Sequence, residues 1–474
     1  MRVLKAFSVS VLLINLLLCH FTPAAAQSTQ AEAVPNTPAG KVFAEFLRAY
    51  NSGDVNVMRR FFLAYDPNGD HAKRTRSAEQ RASWLANVYR DYGRLNLRGV
   101  ELSTDYEITA LCQAEITEGW SRVPLKVAAQ SPHALTTVGF LNTRRPAGAA
   151  AGGPKLSTEE IVRRFNRYME KVVAADKFAG AVLVAKNSKP IFERAYGMSD
   201  KTSGRPNRIE TKFNLASMNK MFTSVAVAQL AERGKLSFND PVGKFFPDYP
   251  NKHAAEKITI HHLLTHTSGL ADYFDKKEYQ SAKQAAGGRL KGPRDYFPFF
   301  ASDPLTFEPG EKWEYSNAGF NVLGAIIEQV SGQSYFDYVT EHILKPAGMN
   351  NTDPSAGSSA GGALSTVGDL LKFDMVFRRH KLLSRKYTDI ILTPKVDTAW
   401  GTKYGYGFGS AKVNGKRIVG HGGDTVGIST EFDMYLDHGY TVIVLSNYDP
   451  PAASNISGKL QELITQGGHH SKER

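Results

Sequence analysis

A hydroxyl and an amine stand three residues apart in Phe213-Asn214-Leu215-Ala216-Ser217-Met218-Asn219-Lys220-Met221-Phe222. Apolar residues continue through Val225, Val227 and Leu230 to Gly234, so the segment reads as a helix with a glycine stop. Residues three apart share a helix face. Ser217 and Lys220 would then meet at the helix N-terminus, where unpaired amides and the positive dipole end favour negative charge developing on the serine or on a bound acyl oxygen. A neutral lysine there could take the serine proton and activate a hydroxyl that is a weak nucleophile alone. Ser-x-x-Lys is also a common spacing, and an ordinary exposed pair fits it without any function.

Two further segments hold groups of the same kind. Glu308-Pro309-Gly310-Glu311-Lys312-Trp313-Glu314-Tyr315-Ser316-Asn317 leads into a helix through Leu323, Ile326 and Ile327, setting Tyr315 and Asn317 two residues apart at a loop–helix junction. Gly420-His421-Gly422-Gly423-Asp424 follows a strand, and its glycines allow a substrate to approach the backbone closely. His261, His262 and His266 have a spacing that invites a metal assignment. No carboxylate or cysteine completes a ligand set, so they read as packing and hydrogen-bonding residues and no metal is expected. Asp272 and Tyr273, after the Gly269 turn, are candidates for the lining of a cleft.

The three motifs stand in this order between the phrases His262-Leu263-Leu264-Thr265-His266-Thr267-Ser268-Gly269-Leu270 and Gly362-Ala363-Leu364-Ser365-Thr366. Together they resemble the serine β-lactamase and penicillin-binding superfamily, in the branch of class C β-lactamases, bacterial esterases and D-aminopeptidases, over residues 157–465. The resemblance implies Ser217 as the acylated nucleophile, Lys220 as its proton-relay partner and Tyr315 as a general base that returns the proton to the leaving group. It implies Asn317, His421, Gly423 and Asp424 as substrate-binding residues, with the amides of Ser217 and Asp424 forming the oxyanion hole. No cofactor is implied. The departure is Gly422, where relatives of the β-lactamase and carboxypeptidase kind usually have threonine or serine. Without that hydroxyl, and with His421 in place of lysine, a substrate carboxylate loses a hydrogen bond and a fixed charge.

The elements that must position these residues come from both ends of one unit. Phe178–Lys186 and Pro190–Tyr196 form a hairpin, as do Tyr406–Val413 and Lys416–Gly420 around Asn414-Gly415; Thr430–Tyr435 and Tyr440–Ser446 add two strands. The stretch from Phe213 to about Ile391 is mainly helical. The expected fold is α+β: an antiparallel sheet from both ends of residues 157–466 around a helical middle, of the β-lactamase/transpeptidase kind.

The length of 474 residues exceeds one ordinary core and indicates two domains. Helical spacing over Lys41–Tyr50 and Ala78–Tyr92 precedes short strands at Leu95–Leu102, Tyr106–Glu115, Arg122–Ala129 and Leu135–Leu141. Residues 41–145 therefore read as a smaller α+β unit similar to the cone-shaped domains of the nuclear-transport-factor superfamily. Such cones serve as enzymes, ligand pockets or dimerisation modules. With no Asp–His catalytic pair here, a structural role and self-association are expected. Pro146 to Lys155-Leu156 is a Gly/Ala/Pro linker.

Arg2 and Lys5, the apolar run Val9–Leu18 and Ala24-Ala25-Ala26 read as a signal peptide over residues 1–26, cleaved before Gln27. A secreted or periplasmic protein with no stable membrane span is expected, with a flexible lead-in over 27–40 and a disordered tail over 467–474. Cys19 follows three leucines, and Leu18 in place of a small residue argues against lipid attachment. Cys112 is then the one remaining thiol, buried and without a disulfide partner. The net charge of +12 comes from scattered basic residues with no stacking platform or nucleic-acid motif, so no nucleic-acid partner is expected. The function read from the sequence is an acyl-enzyme serine hydrolase acting on small esters or short peptides, with esters leading. The alternatives are a D-specific peptidase, D-aminopeptidase or carboxypeptidase on cell-wall peptides, a weak β-lactamase, or a non-catalytic relative that binds envelope ligands.

Overall fold

Ala181–Ala185 and Thr441–Leu445 are apolar at nearly every position, the pattern of strands covered on both faces. In the computed structural model, which describes residues 34–65, 77–143 and 154–467, they are neighbours in an eight-stranded antiparallel sheet. Its order is Val396–Asp397, Lys403–Tyr404, Gly409–Val413, Lys416–Thr425, Ile428–Tyr435, Tyr440–Ser446, Gly180–Lys186 and Lys189–Tyr196. The sheet is thus closed from both ends of the unit. Asn414 and Gly415 both take positive φ, 49° and 77°, as a two-residue hairpin turn requires.

Alternate residues of these strands enter two separate cores. Val182, Val184, Val442 and Val444 face the helices Thr158–Ala174 and Ala452–Thr465, meeting Phe165, Val172, Ile456 and Leu460. Ala181, Leu183, Ile443 and Leu445 face the helical middle, meeting Met218, Phe222 and Val225. The helix Lys220–Glu232 is buried on all sides from Lys220 to Ala231, which is why its sequence is apolar all round rather than striped.

Residues 34–143 pack around a core of their own. Helices Pro38–Asn51, Val55–Tyr65 and Ala78–Tyr92 lie with Phe43, Phe46, Phe61, Phe62 and Leu85 against Ile108, Val123 and Leu125 of a sheet. The single strand expected over 135–141 is two pieces, Leu135–Val138 and Leu141–Thr143. The break falls where Phe140 turns its ring toward Phe46, Tyr50 and Trp84. Cys112 is buried, and burial pushes its thiol up to about 12.

This unit touches the larger one through the turn at Thr117 and Glu118. Tyr168 donates to the Thr117 carbonyl, Lys459 pairs with Glu118 at 2.9 Å, and Lys171 Nζ donates to the Glu115 carbonyl at 2.6 Å. All three contacts fall on the helix pair behind the sheet, on the face opposite Lys220–Glu232. Among the described residues no helix is long and apolar enough to cross a membrane. The expected signal peptide, Cys19, residues 27–33, most of the linker and the tail from Gly468 lie outside the described residues.

Candidate active site

The segment before Ser217 is tied down by backbone. Phe213 and Asn214 pair with Ser365 and Leu364, Leu215 donates to the Ala363 carbonyl at 2.8 Å, and Gly362 donates to the Ala216 carbonyl at 3.0 Å. Held from both sides, Ala216 adopts φ of 44°, a left-handed conformation that costs a residue with a β-carbon. Ser217 does not start the α-helix. It lies in a 3₁₀ turn, Ala216–Asn219, and the α-helix begins at Lys220. In a 3₁₀ turn residues three apart eclipse, so the hydroxyl and the amine face each other more directly than along an α-helix. Lys220 Nζ lies 3.1 Å from Ser217 Oγ.

Two further oxygens orient the amine. Nζ also lies 2.8 Å from Asn317 Oδ1 and 2.5 Å from the Ala360 carbonyl oxygen. Both of those oxygens can accept only. Burial holds Lys220 well below the usual lysine range, with the Asp272 carboxylate acting weakly the other way. A neutral amine has two protons and one lone pair. The two protons go to Asn317 and Ala360, and the lone pair is left for the Ser217 hydroxyl.

Tyr315 closes the third side. Its ring lies 4.2 Å, centroid to centroid, from His266, and Lys220 Nζ sits 4.8 Å from its ring centroid. Burial raises its phenol above the ordinary tyrosine range, against the pull of the neighbouring Ser217 hydroxyl. Tyr315 is therefore protonated at rest, and the resting base is Lys220. Ser316 caps the Asn317–Ser331 helix through Gly319 N at 3.2 Å, which orients Asn317 at its first position.

The glycine-rich strand crosses beside this turn. A β-carbon on Gly423 would stand 2.4 Å from the Leu215 oxygen and 2.7 Å from the Ser217 nitrogen, so no side chain fits. His421 is part-buried, with Nε2 2.9 Å from Tyr404 Oη. Asp424 follows Gly423 along the strand, and its carboxylate accepts from Ser429 Oγ at 2.9 Å. A β-carbon on Gly422 would point to the Glu431 carboxylate, 3.0 Å away.

The remaining candidates separate. Tyr273 is buried core, its hydroxyl accepting from Asn321 Nδ2 at 2.6 Å, and does not line the cleft. Asp272 is electrostatically coupled to Lys220 and Tyr315 and accepts from the amides of Tyr273 and Phe274. His261 contacts Tyr406 Oη, and His262 caps its own helix through Thr259. Among the described residues no group of three or more His, Cys, Asp or Glu is arranged to hold a metal ion. Sequence reading missed Ala360 and Tyr404. A carbonyl has no sequence signal beyond the small run Ser358-Ser359-Ala360-Gly361-Gly362. The pattern Tyr404-Gly405-Tyr406-Gly407 was available. It also missed Trp400, 62% exposed, whose ring stands 4.7 Å from Trp313 and 5.8 Å from Tyr315 at the rim.

A sheet closed from both chain ends, with a Ser–Lys–Tyr cluster between it and a helical middle, has known counterparts. The Beta-lactamase family model matches residues 165–466, and the chain belongs to that family: it is a β-lactamase-related serine hydrolase. Penicillin-binding protein 4* of Bacillus subtilis (strain 168) is 31% identical over 319 residues, 57% of this chain and 68% of that one. Esterase EstB of Burkholderia gladioli is 34% identical over 208 residues, 41% of this chain and 52% of the esterase. The crystal structure of a penicillin binding protein from Bacillus halodurans superposes with a TM-score of 0.55 at 29% identity, covering 65% of this chain and all of that one.

Proposed function

We propose that this chain is an exported esterase that works through an acyl-enzyme on Ser217. The observation that carries the reading is the contact of Lys220 Nζ with Ser217 Oγ at 3.1 Å, at an amine that burial holds well below the usual lysine range and whose other two partners, Asn317 Oδ1 and the Ala360 carbonyl, can only accept. As Ser217 Oγ attacks the ester carbonyl, its proton passes to Lys220 Nζ. The amides of Ser217 and Asp424 receive the oxyanion. Tyr315 Oη gives its proton to the departing alkoxide and is reprotonated from Lys220. Water then attacks the acyl-serine by the same path in reverse, releasing the acid. Asn317 orients Lys220, and His421 and Gly423 border the substrate.

Esters lead because the site offers no cation to a carboxylate beside the scissile bond. His421 is pushed down to about 3, with burial the largest cause, so it is neutral, and Gly422 has no hydroxyl. A D-aminopeptidase-like reading comes second, favoured by the Asp272 carboxylate near Lys220, which suits a substrate ammonium. A fluorophosphonate probe should label Ser217, and the Ser217→Ala protein should not react. Short-chain esters, D-aminoacyl amides and a chromogenic cephalosporin should then be hydrolysed in that order of efficiency. An unlabelled, inert wild-type protein would leave the ligand-binding alternative standing.

The proposed location is secreted or periplasmic, supported by the basic start, apolar run and Ala24-Ala25-Ala26. Mass spectrometry of the native protein should find an N-terminus near Gln27; an intact Met1 would reject export. Self-association through residues 41–145 is supported by the exposed apolar side chains Leu102, Tyr106 and Leu141. Sedimentation of the full chain should then give a species heavier than the monomer, and removal of that unit should abolish it.

A further inference from the structure

Three segments meet at one phenol. Tyr404, buried in the strand Lys403–Tyr404, has its hydroxyl oxygen 3.3 Å from His266 Nε2 and 2.9 Å from His421 Nε2. The other nitrogen of each ring is committed to backbone. The Ser316 N–H donates to His266 Nδ1 at 3.1 Å, so that nitrogen carries no proton. His421 Nδ1 lies 2.5 Å from the Gly422 carbonyl oxygen, which can only accept, so that nitrogen carries one.

A neutral imidazole has a single ring proton, and the arrangement then closes without freedom. His266 Nε2–H donates to Tyr404 Oη, Tyr404 O–H donates to His421 Nε2, and His421 Nδ1–H donates to Gly422 O. A proton added to His421 Nε2 would leave the Tyr404 oxygen facing two N–H donors while its own proton lost its acceptor. A proton added to His266 Nδ1 would face the Ser316 N–H. Each ring is held neutral by geometry on both sides.

We propose that Tyr404 is a positioning residue that sets specificity: by bridging His266 and His421 it locks His421 as the neutral Nδ1–H tautomer and withholds a cation from substrate bound along the 420–424 strand. The proposal rests on the esterase reading for the place of the substrate. The groups facing His421 agree with it. Burial disfavours a proton there, Tyr315 and Tyr404 are held protonated by burial, and His266 is itself depressed by burial; Lys220, neutral at rest, adds to this only while it holds the serine proton. The carboxylates of the neighbourhood, Asp272 and Glu431, lie toward Lys220 and toward Gly422, and neither is among the groups acting on His421.

The test has two parts, both on the full chain. Nitrogen NMR of histidine-labelled wild-type protein, with His421 assigned by its loss in His421→Gln, should show Nδ1 protonated and Nε2 bare from about pH 8 to about pH 5. In Tyr404→Phe the bridge is gone and the imidazole can take a proton. The ratio of kcat/KM for the mono-p-nitrophenyl ester of glutaric acid to that for p-nitrophenyl butyrate should then rise about three- to tenfold over the same fall in pH, and stay flat in the wild type. Using one ratio in one protein cancels the titration of Lys220, which both substrates share. A tyrosine that merely packs would lower both rates together and leave the ratio flat in the folded variant, which would overturn the proposal. So would a wild-type His421 protonated on Nε2, a result that stands even if Tyr404→Phe does not fold. An inert wild-type protein with the Nδ1–H tautomer would sink the esterase reading and leave the lock in place.

Discussion

Gly423 and Ser217 touch through their backbones: the space for a β-carbon on Gly423 is taken by the Ser217 nitrogen, 2.7 Å away, and by the Leu215 oxygen at 2.4 Å. Thr430 Oγ1 adds a clamp, its one proton shared between the carbonyls of Leu215 and Gly423, each at 3.1 Å. The third motif thereby fixes the height of the nucleophile's turn as well as bordering the substrate.

Gly423→Ala should separate the strand from the turn. A misplacement of this kind costs about 100-fold or more in acylation, and overpacking costs about 1–3 kcal/mol of stability. Single-turnover acylation read beside a thermal melt checks both. A folded variant that acylates normally would show that the contact does not position Ser217.

Tyr315 and Lys220 divide the proton's path, and leaving-group dependence separates their shares. Tyr315→Phe should slow hydrolysis of alkyl esters by about 10²–10⁴-fold, the span of a positioned acid–base group. It should cost much less with p-nitrophenyl esters, whose leaving group needs no proton. Lys220→Ala should be severe with both. The double variant should cost far less than the product of the single effects, since the residues act as one unit. Equal losses of Tyr315→Phe on both ester classes would return the role of first base to the tyrosine.

Much of this site lay in spacing. Ser217 and Lys220 three apart, Tyr315 and Asn317 at a helix start, and two glycines after a strand are local patterns, and the fold brings them together. The closed sheet was equally visible, because strands covered on both faces must be apolar at every position, as Val182–Val184 and Val442–Leu445 are. What was hidden is what depends on distant backbone. The 3₁₀ turn at Ser217 follows from anchoring by Ala363 and Gly362, and one of the two acceptors that orient the Lys220 amine is a carbonyl 140 residues away. His266 was rightly read as a hydrogen-bonding residue, yet its partner Tyr404 is separated from it by 138 positions.

Position 422 tests the carboxylate argument. From sequence, Gly422→Thr would restore a hydroxyl for a substrate carboxylate. In the structure the new β-carbon meets the buried Glu431 carboxylate at 3.0 Å, and Ser454 Oγ donates to that carboxylate at 3.0 Å. The single change should therefore give no gain in cephalosporin turnover, and Gly422→Thr with Glu431→Ala, which removes the obstructing carboxylate, should give more than either alone. Initial rates on a chromogenic cephalosporin decide it; a clear gain from Gly422→Thr alone would refute the obstruction by Glu431.

Residues 34–143 meet the catalytic unit behind the sheet, far from Ser217. A fragment from Lys155 should keep the esterase rate of the full chain within about twofold, since partly exposed ion pairs such as Glu118–Lys459 are worth about 0–1 kcal/mol each. Its melting temperature should fall slightly, because Tyr168 loses its Thr117 acceptor. A soluble, folded and inert fragment would mean that the N-terminal unit takes part in the reaction.

The pH dependence follows from Lys220. Its amine acts only when neutral, and burial holds it well below the usual lysine range. On an uncharged ester kcat/KM should rise with pH through the depressed value and then level off. No alkaline limb should come from Tyr315, whose phenol is raised, and His421, at about 3, should add none in the working range. Asp272 raises the lysine's proton affinity, so Asp272→Asn removes a charge that favours the ammonium form. The acid limb of that variant should move to lower pH while its plateau stays within the span of the wild type. Lys220→Arg should have no limb at all and no activity across the range, because a guanidinium keeps its proton. Profiles of kcat/KM for p-nitrophenyl butyrate in the three proteins give the answer. An acid limb that stays in place in Asp272→Asn would remove the carboxylate from the control of Lys220, and one that moves to higher pH would reverse the sign argued for it.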